Sequence, residues 1–277
     1  MPPAKIKPRI HVLLARDARV GVVIRRGPSK QVCTIHWDRE RDEFQVGQWF
    51  KGRIYERRSD ISPDGSHLIY FAMNGKHEFE AKGAWTAISR APYLKAIALF
   101  PKGDCWHGGG LFTGPGRYWL NDGRGHSVLR DSSEVRRDKT FQPVDPYGSE
   151  CLGVYYPRLV RDGWTLVECE SETRLKEHHV FEKPAMSGWT LRKIANAQVD
   201  SPIGKGCYWD QHELRHGPSG THLSCPDWEW AEVDRDRLVW AAGGKILSAN
   251  LGDEGPLDVS ELLDCDGMNF EALAAPY

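Results

Sequence analysis

Three short stretches bring a tryptophan, a histidine and an acid within a few residues of one another. They are Asp104-Cys105-Trp106-His107, which runs into Gly108-Gly109-Gly110; Cys207-Tyr208-Trp209-Asp210-Gln211-His212; and Cys33-Thr34-Ile35-His36-Trp37-Asp38. Such residues can hold a metal, bind a partner or move protons. Zinc takes three or four N, S or O ligands at about 2.0–2.3 Å, usually from short ligand spacings. The chain offers only the adjacent His178-His179 and the pair His212/His216. The second would need a helix, and Gly217-Pro218 argues against one. No metal and no cofactor is predicted. The glycines at 108–110 and at 114 and 116 lack a following helix, so a phosphate cradle is not predicted. Nucleophile elbows, His-Glu-x-x-His helices and Walker loops are absent from the sequence. Large aromatics with polar edges are good anchors for recognition. Trp106, His107, Trp209, His212, Trp228 and Trp230 are therefore the candidate binding residues, although for any single tryptophan packing between sheets is the commoner role. In Asp227-Trp228-Glu229-Trp230, regular alternation would put both indoles on one strand face and both acids on the other.

The elements that must position these residues read as strands. Short apolar or alternating runs recur at residues 10–14, 20–24, 31–37, 44–50, 67–73, 85–89, 94–100, 111–113 and 118–120. Further runs lie at 152–156, 165–169, 189–194, 228–233, 237–242 and 245–251. Helical periodicity is nearly absent; residues 258–263 read as one or two helical turns, 171–178 as a helical turn or a loop, and 123–149 as a long charged loop. Asp64-Gly65, Asp122-Gly123, Asp162-Gly163 and Gly243-Gly244 sit between runs and suit tight turns, because glycine accepts positive φ. The chain has 277 residues, enough for a core without disulfides, and its 28 Gly and 17 Pro make it turn-rich. Its 37 Lys and Arg against 38 Asp and Glu give a net charge of −1, which does not suggest nucleic acid. No apolar run approaches the ~18–20 residues of a membrane span. The apolar stretch behind Lys5 and Lys7 is too short for a secretory signal, and seven scattered cysteines lack any Cys-x-x-Cys. A cytoplasmic protein with reduced thiols is expected.

Internal echoes refine the fold. Ser62-Pro63-Asp64-Gly65-Ser66-His67-Leu68 and Gly217-Pro218-Ser219-Gly220-Thr221-His222-Leu223 share Pro, Gly, a hydroxyl residue, His and Leu in order. A Trp-Thr pair opens a run at Trp85-Thr86, Trp164-Thr165 and Trp189-Thr190, each after a small residue. Residues 61–71 resemble the Ser-Pro-Asp-Gly blade motif of WD40-like and TolB-type β-propellers, which in those families links the outer strand of one blade to the inner strand of the next. The resemblance covers about a dozen residues strongly and about half the chain weakly. It implies an all-β fold, a single β-propeller domain over residues 1–277 with five blades, or six, and tryptophans filling the space between them. A pair of sandwiches or a barrel is the alternative. Residues 268–273 look like a closing strand. The function expected is non-catalytic: binding of a protein partner or small ligand through one face of the ring, with no nucleic acid and no membrane. The alternative is a propeller-type glycoside hydrolase or lyase, with Asp38, Asp104 and Asp210 as channel carboxylates.

Overall fold

The fold is taken from a computed structural model that describes residues 6–123, 125–143, 147, 150–173 and 176–277. Parts of the stretches at 1–7, 123–149 and 171–178 therefore lie outside the described residues. The chain is all-β, and its described residues form five consecutive sheets and one α-helix. Sheet 1 holds β1 (Arg9–Leu14), β2 (Val20–Arg26), β3 (Gln31–Asp38) and β4 (Glu43–Lys51). Sheet 2 holds β5 (Arg53–Ile61), β6 (His67–Met73), β7 (Ala84–Arg90) and β8 (Ala96–Pro101). Sheet 3 is β9 (Gly110–Gly114), β10 (Arg117–Leu120) and the two-residue β11 (Arg136–Arg137), whose pairing with β10 is parallel. After α1 (Leu152–Arg161), sheet 4 holds β12 (Thr165–Thr173), β13 (Lys176–Pro184), β14 (Trp189–Gln198), β15 (Tyr208–His216) and β16 (His222–Cys225). Sheet 5 holds β17 (Trp228–Asp234), β18 (Arg237–Ala242), β19 (Lys245–Gly252) and β20 (Gly255–Asp264). Sheets 1, 2, 4 and 5 are antiparallel meanders in which neighbours in sequence are neighbours in space. The chain divides into two compact units, Met1–Arg158 with Gly267–Tyr277, and Leu159–Asp266.

In the first unit, sheet 2 is buried on both faces. Leu68, Tyr70 and Ala72 pack with Leu13, Val22, Ile24 and Val32 of sheet 1, whereas Ile69 packs with Phe112, Tyr118 and Leu120 of sheet 3. Side chains alternate along a strand, so β6 needs an apolar residue at nearly every position to serve both layers. In the second unit, two of the repeated tryptophans join neighbouring sheets. Trp164 donates its indole N–H to Glu232 on β17 (2.9 Å), and Trp189 donates to the carbonyl of Gly252 on β19 (2.8 Å). Trp85, the third, meets Phe50 of sheet 1 edge-on at 5.7 Å. The Trp-Thr pairs thus mark fillers between sheets.

The Ser-Pro-Asp-Gly segment has a different place from the one the resemblance implies. It closes the β5–β6 hairpin within one sheet, and its echo at 217–221 closes the β15–β16 hairpin. The Asp64 carboxylate accepts hydrogen bonds from the Ser62 hydroxyl (2.5 Å) and from the Ser66 backbone N–H (3.1 Å) and hydroxyl. Asp64→Ala is expected to cost about 1 kcal/mol, the usual worth of such a side-chain turn cap, read as a shift in urea midpoint. An unchanged midpoint would show that the turn stands without it.

Five sequence expectations are corrected. Residues 152–156 open α1 and are not a strand; every residue from 151 to 156 is buried, and so short an apolar run reads the same in a buried strand as in the first turns of a helix. Residues 258–263 belong to β20, a mostly exposed edge strand, and are not helical. Around 171–178 the described residues are strand, the end of β12 and the start of β13. Residues 268–273 form no strand. They lie on sheet 1 through single contacts, such as Gln48 Nε2 to the Leu273 carbonyl (3.0 Å) and Phe270 beside Trp49. Asp162-Gly163 follows α1 instead of closing a hairpin.

Candidate functional site

Strand β5 carries the sequence Glu56-Arg57-Arg58-Ser59-Asp60, all buried. Pairing with β6 jumps from Tyr55–Phe71 to Asp60–Ile69, so β5 holds extra residues in a wide bulge. The bulge directs Arg58, whose side chain is 1% exposed, toward the loop between β8 and β9. Its guanidinium donates to the carbonyls of Cys105 (2.6 Å) and His107, and to Glu150 (3.3 Å) and Cys151 Sγ (3.4 Å). The rings of Tyr55 and Phe71 lie beside it.

The loop needs this anchor because its backbone is unusual. His107, Gly108 and Gly109 are successively left-handed, with φ of 57°, 89° and 76°. A Cβ on Gly109 would overlap the Arg58 carbonyl oxygen, and one on Gly108 would overlap the Phe71 ring. The glycines permit this close approach. Further bonds tie the loop to the end of β10: Gly108 N–H to the Asn121 carbonyl (2.9 Å), and Asn121 N–H to the Gly109 carbonyl (3.0 Å). Thr86 Oγ1 accepts from Gly109 N–H (2.8 Å).

The result is a cavity of about 640 Å³ that His107 lines together with residues 119–123, 137–139, 141 and 142. One wall is aromatic, with Trp119 and Phe141 rings 5.7 Å apart and tilted by 58°. The polar wall is held by ion pairs. Asp122 meets Arg137 (2.8 Å) and His126 (2.9 Å). Burial lowers the His126 pKa, against the pull of Asp122. Asp138 accepts from the Thr140 hydroxyl (2.7 Å) and backbone N–H (3.0 Å), and from Thr113 (3.0 Å) and Arg117 (3.2 Å). Hydrogen bonds from Thr140 hold its carboxyl far below the usual carboxylate range. Asn121, Gln142 and Lys139 add further donors and acceptors.

Of the residues singled out from the sequence, His107 is in this cavity. Trp106 beside it is 57% exposed. Asp104 caps its own loop, accepting from Trp106 N–H (2.9 Å) and pairing with Lys102 (3.0 Å). Burial would raise its carboxyl, but these bonds outweigh it and hold the group below its ordinary value. Asp38 ends β3 and caps the turn to β4, accepting from Glu40 N–H (2.9 Å) and Arg41 N–H (3.3 Å). The others lie in the second unit. Asp210 and His212 share the buried face of β15, and Trp209 lies on the opposite face. His212 Nδ1 is 3.1 Å from the Trp228 carbonyl. Trp228 stacks on Trp240 at 4.8 Å, and Trp230 is buried. The expected alternation of the two indoles is overturned by a bulge: Trp228 pairs with Ala242 and Trp230 with Ala241, so they face opposite sides of the sheet. Trp119, Asp122, Arg137, Asp138 and Phe141 were not singled out as site residues. Most of them lie at the edge of, or inside, the charged stretch read as a loop, where no periodicity marks an inward side chain.

No family model and no curated protein matches the chain. Among solved structures, hydrazine synthase of Kuenenia stuttgartiensis is similar at 9% identity over 90% of this chain and 80% of that one, with a TM-score of 0.30. The GH43 BlXynB protein of Bacillus licheniformis is similar at 9% identity over 99% of this chain and 60% of that one, with a TM-score of 0.28. Likenesses this distant assign no activity to the chain.

Proposed function

We propose that the five sheets are blades of one β-propeller and that the protein binds a small neutral ligand of the sugar class in the His107–Trp119–Phe141 cavity. The blade reading is supported by the succession of up-and-down sheets in chain order and by sheet 2, which is covered on both faces as a blade must be. The ligand reading rests on the composition of the cavity wall. Asp122 and Asp138 are balanced by Arg137 and Lys139, which disfavours a strongly charged guest. The aromatic pair offers a surface for an apolar ring face, and the amides, imidazole and carboxylates offer directional bonds to hydroxyls. Two carboxylates in one cavity also invite a hydrolytic reading. A glycosidase acid needs a raised pKa, however, and Asp138 is shifted the other way while Asp122 is paired with the Arg137 guanidinium. Binding without turnover is the better fit.

The test is a panel of monosaccharides and short oligosaccharides, followed by thermal shift and calorimetry. At a hundredfold excess over Kd, a ligand is expected to add about 2.7 kcal/mol of stability. Trp119→Ala should weaken that ligand about tenfold or more while the melting temperature without ligand stays near wild type. If no sugar shifts the melting temperature, the reading fails. Release of reducing ends would replace it with hydrolysis.

A further inference from the structure

On sheet 4, one row of paired residues crosses four strands: Cys169 on β12, His179 on β13, Ala195 on β14 and Asp210 on β15. Residues paired across strands point to the same face. His179, Ala195 and Asp210 are buried there, whereas Cys169, on the edge strand, is exposed. The Cys169 sulfur lies 3.1 Å from His179 Nε2. Two other thiols are exposed among the described residues, those of Cys105 and Cys207.

We infer that Cys169 is a base-assisted nucleophilic thiol that exchanges with small disulfides, with His179 as its proton acceptor. The geometry separates the roles: the sulfur is open to a reagent and the ring is fixed behind it. The next row of the same face carries the buried Lys193 and His212. Lys193 lies over the Trp164 ring at 4.3 Å. Glu177 and His178 flank His179 on β13, and Glu170 flanks Cys169 on β12 and pairs with His178 (3.4 Å). From sheet 5, Glu232 faces Lys183 and Trp164. Burial pushes the His179 pKa down, with Glu177 opposing and His178 adding to the shift. The ring is therefore neutral near pH 7 and able to take a proton, which requires its hydrogen on Nδ1.

The exchange balances in atoms and electrons. The Cys169 S–H proton passes to His179 Nε2 as the sulfur bonds to one sulfur of the disulfide. The reagent's S–S bond breaks, and the departing thiolate takes the proton from His179. Cys169 is oxidised to a mixed disulfide and half of the reagent is reduced to a thiol. No third ligating group of the metal-binding type gathers around this pair among the described residues.

Oxidised glutathione is the probe, with modification followed by peptide mass mapping at Cys105, Cys169 and Cys207 in the same molecule. A free thiol of pKa about 8.5 is roughly 3% ionised at pH 7, which caps any gain at about thirtyfold, and a neutral ring acting as general base recovers part of that. Cys169 is expected to react about tenfold faster than Cys105 and Cys207. In His179→Asn it should fall to their rate, with theirs unchanged. A second reading uses wild type alone. Between pH 7 and pH 6 the reference thiols should slow about tenfold, and Cys169 clearly less. Equal rates at the three sites, or a Cys169 pH profile parallel to the other two, would overturn the assignment.

Discussion

Gly109→Ala is expected to lower stability by about 3 kcal/mol. Two effects combine. At φ +76° an L side chain costs roughly 1–2 kcal/mol. A Cβ would also overlap the Arg58 carbonyl oxygen, a backbone atom of a buried strand, and overpacking of this kind costs about 1–3 kcal/mol. In a chain of this size that corresponds to a fall in melting temperature of roughly 6–12 °C. The matched control is Gly75→Ala. Gly75 has a similar φ of 72°, but a Cβ there meets nothing within 4 Å. Its loss should be limited to the backbone share, about 1 kcal/mol. Equal losses in the two variants would mean that the β8–β9 loop does not press on β5 as described. Because the loop carries His107 into the cavity, Gly109→Ala should also reduce the sugar stabilisation we propose, at temperatures where it remains folded.

The second large effect is expected at Glu56. Its carboxylate is buried and meets Arg26 (2.9 Å) and Arg57 (3.2 Å), while Arg158 bonds to its backbone carbonyl (3.2 Å). Desolvation alone would raise its pKa. The attraction of Arg26 and Arg57 is stronger, so the folded value lies below the ordinary one. Removing the anion leaves cations in a poorly solvated place, and Glu56→Ala should cost about 3–5 kcal/mol by urea denaturation at pH 7. The sign of the pH dependence follows from the lowered value. The stabilisation is fully present above the unfolded pKa of about 4.3 and is lost as pH falls through the lower folded value. Asp64, Asp104, Glu134, Asp138 and Asp264 are also lowered and titrate in the same acid window. The informative quantity is thus the difference between wild type and Glu56→Gln. That difference should shrink as pH drops from 5 toward 3. A constant difference across that range would rule out an ionic role for Glu56.

The strands were the most legible part of the molecule. Alternation such as that of residues 31–37 and turns such as Gly243-Gly244 leave direct marks on sequence, and β3 and the β18–β19 turn fall where those marks lie. The Trp-Thr echoes were equally informative, because a side chain that fills the gap between two sheets recurs wherever that gap does. Helix α1 was hidden because its buried opening, residues 152–156, is an apolar run short enough to read as a strand, and β20 because its exposure imposes no two-sided pattern. The paired indoles of β17 were misplaced because one bulge residue inverts every later side chain, and a bulge has no fixed sequence mark. The cavity was half legible. His107 stood out beside a run of glycines, but Asp122 and Asp138 became site residues only when Arg137, Thr113 and Thr140 met them in space. The row from Cys169 to Asp210 crosses four strands and depends on their register, which no local spacing reveals.

Arg58 grips the Cys105 and His107 carbonyls, not their side chains. The path of that segment is thus indifferent to which side chains it displays at 105 and 106. Both positions face water and could be varied freely, by drift or by a designer's library, while the clamp beneath keeps its geometry. The surface at these two positions could then diversify without reopening the problem of how the loop folds.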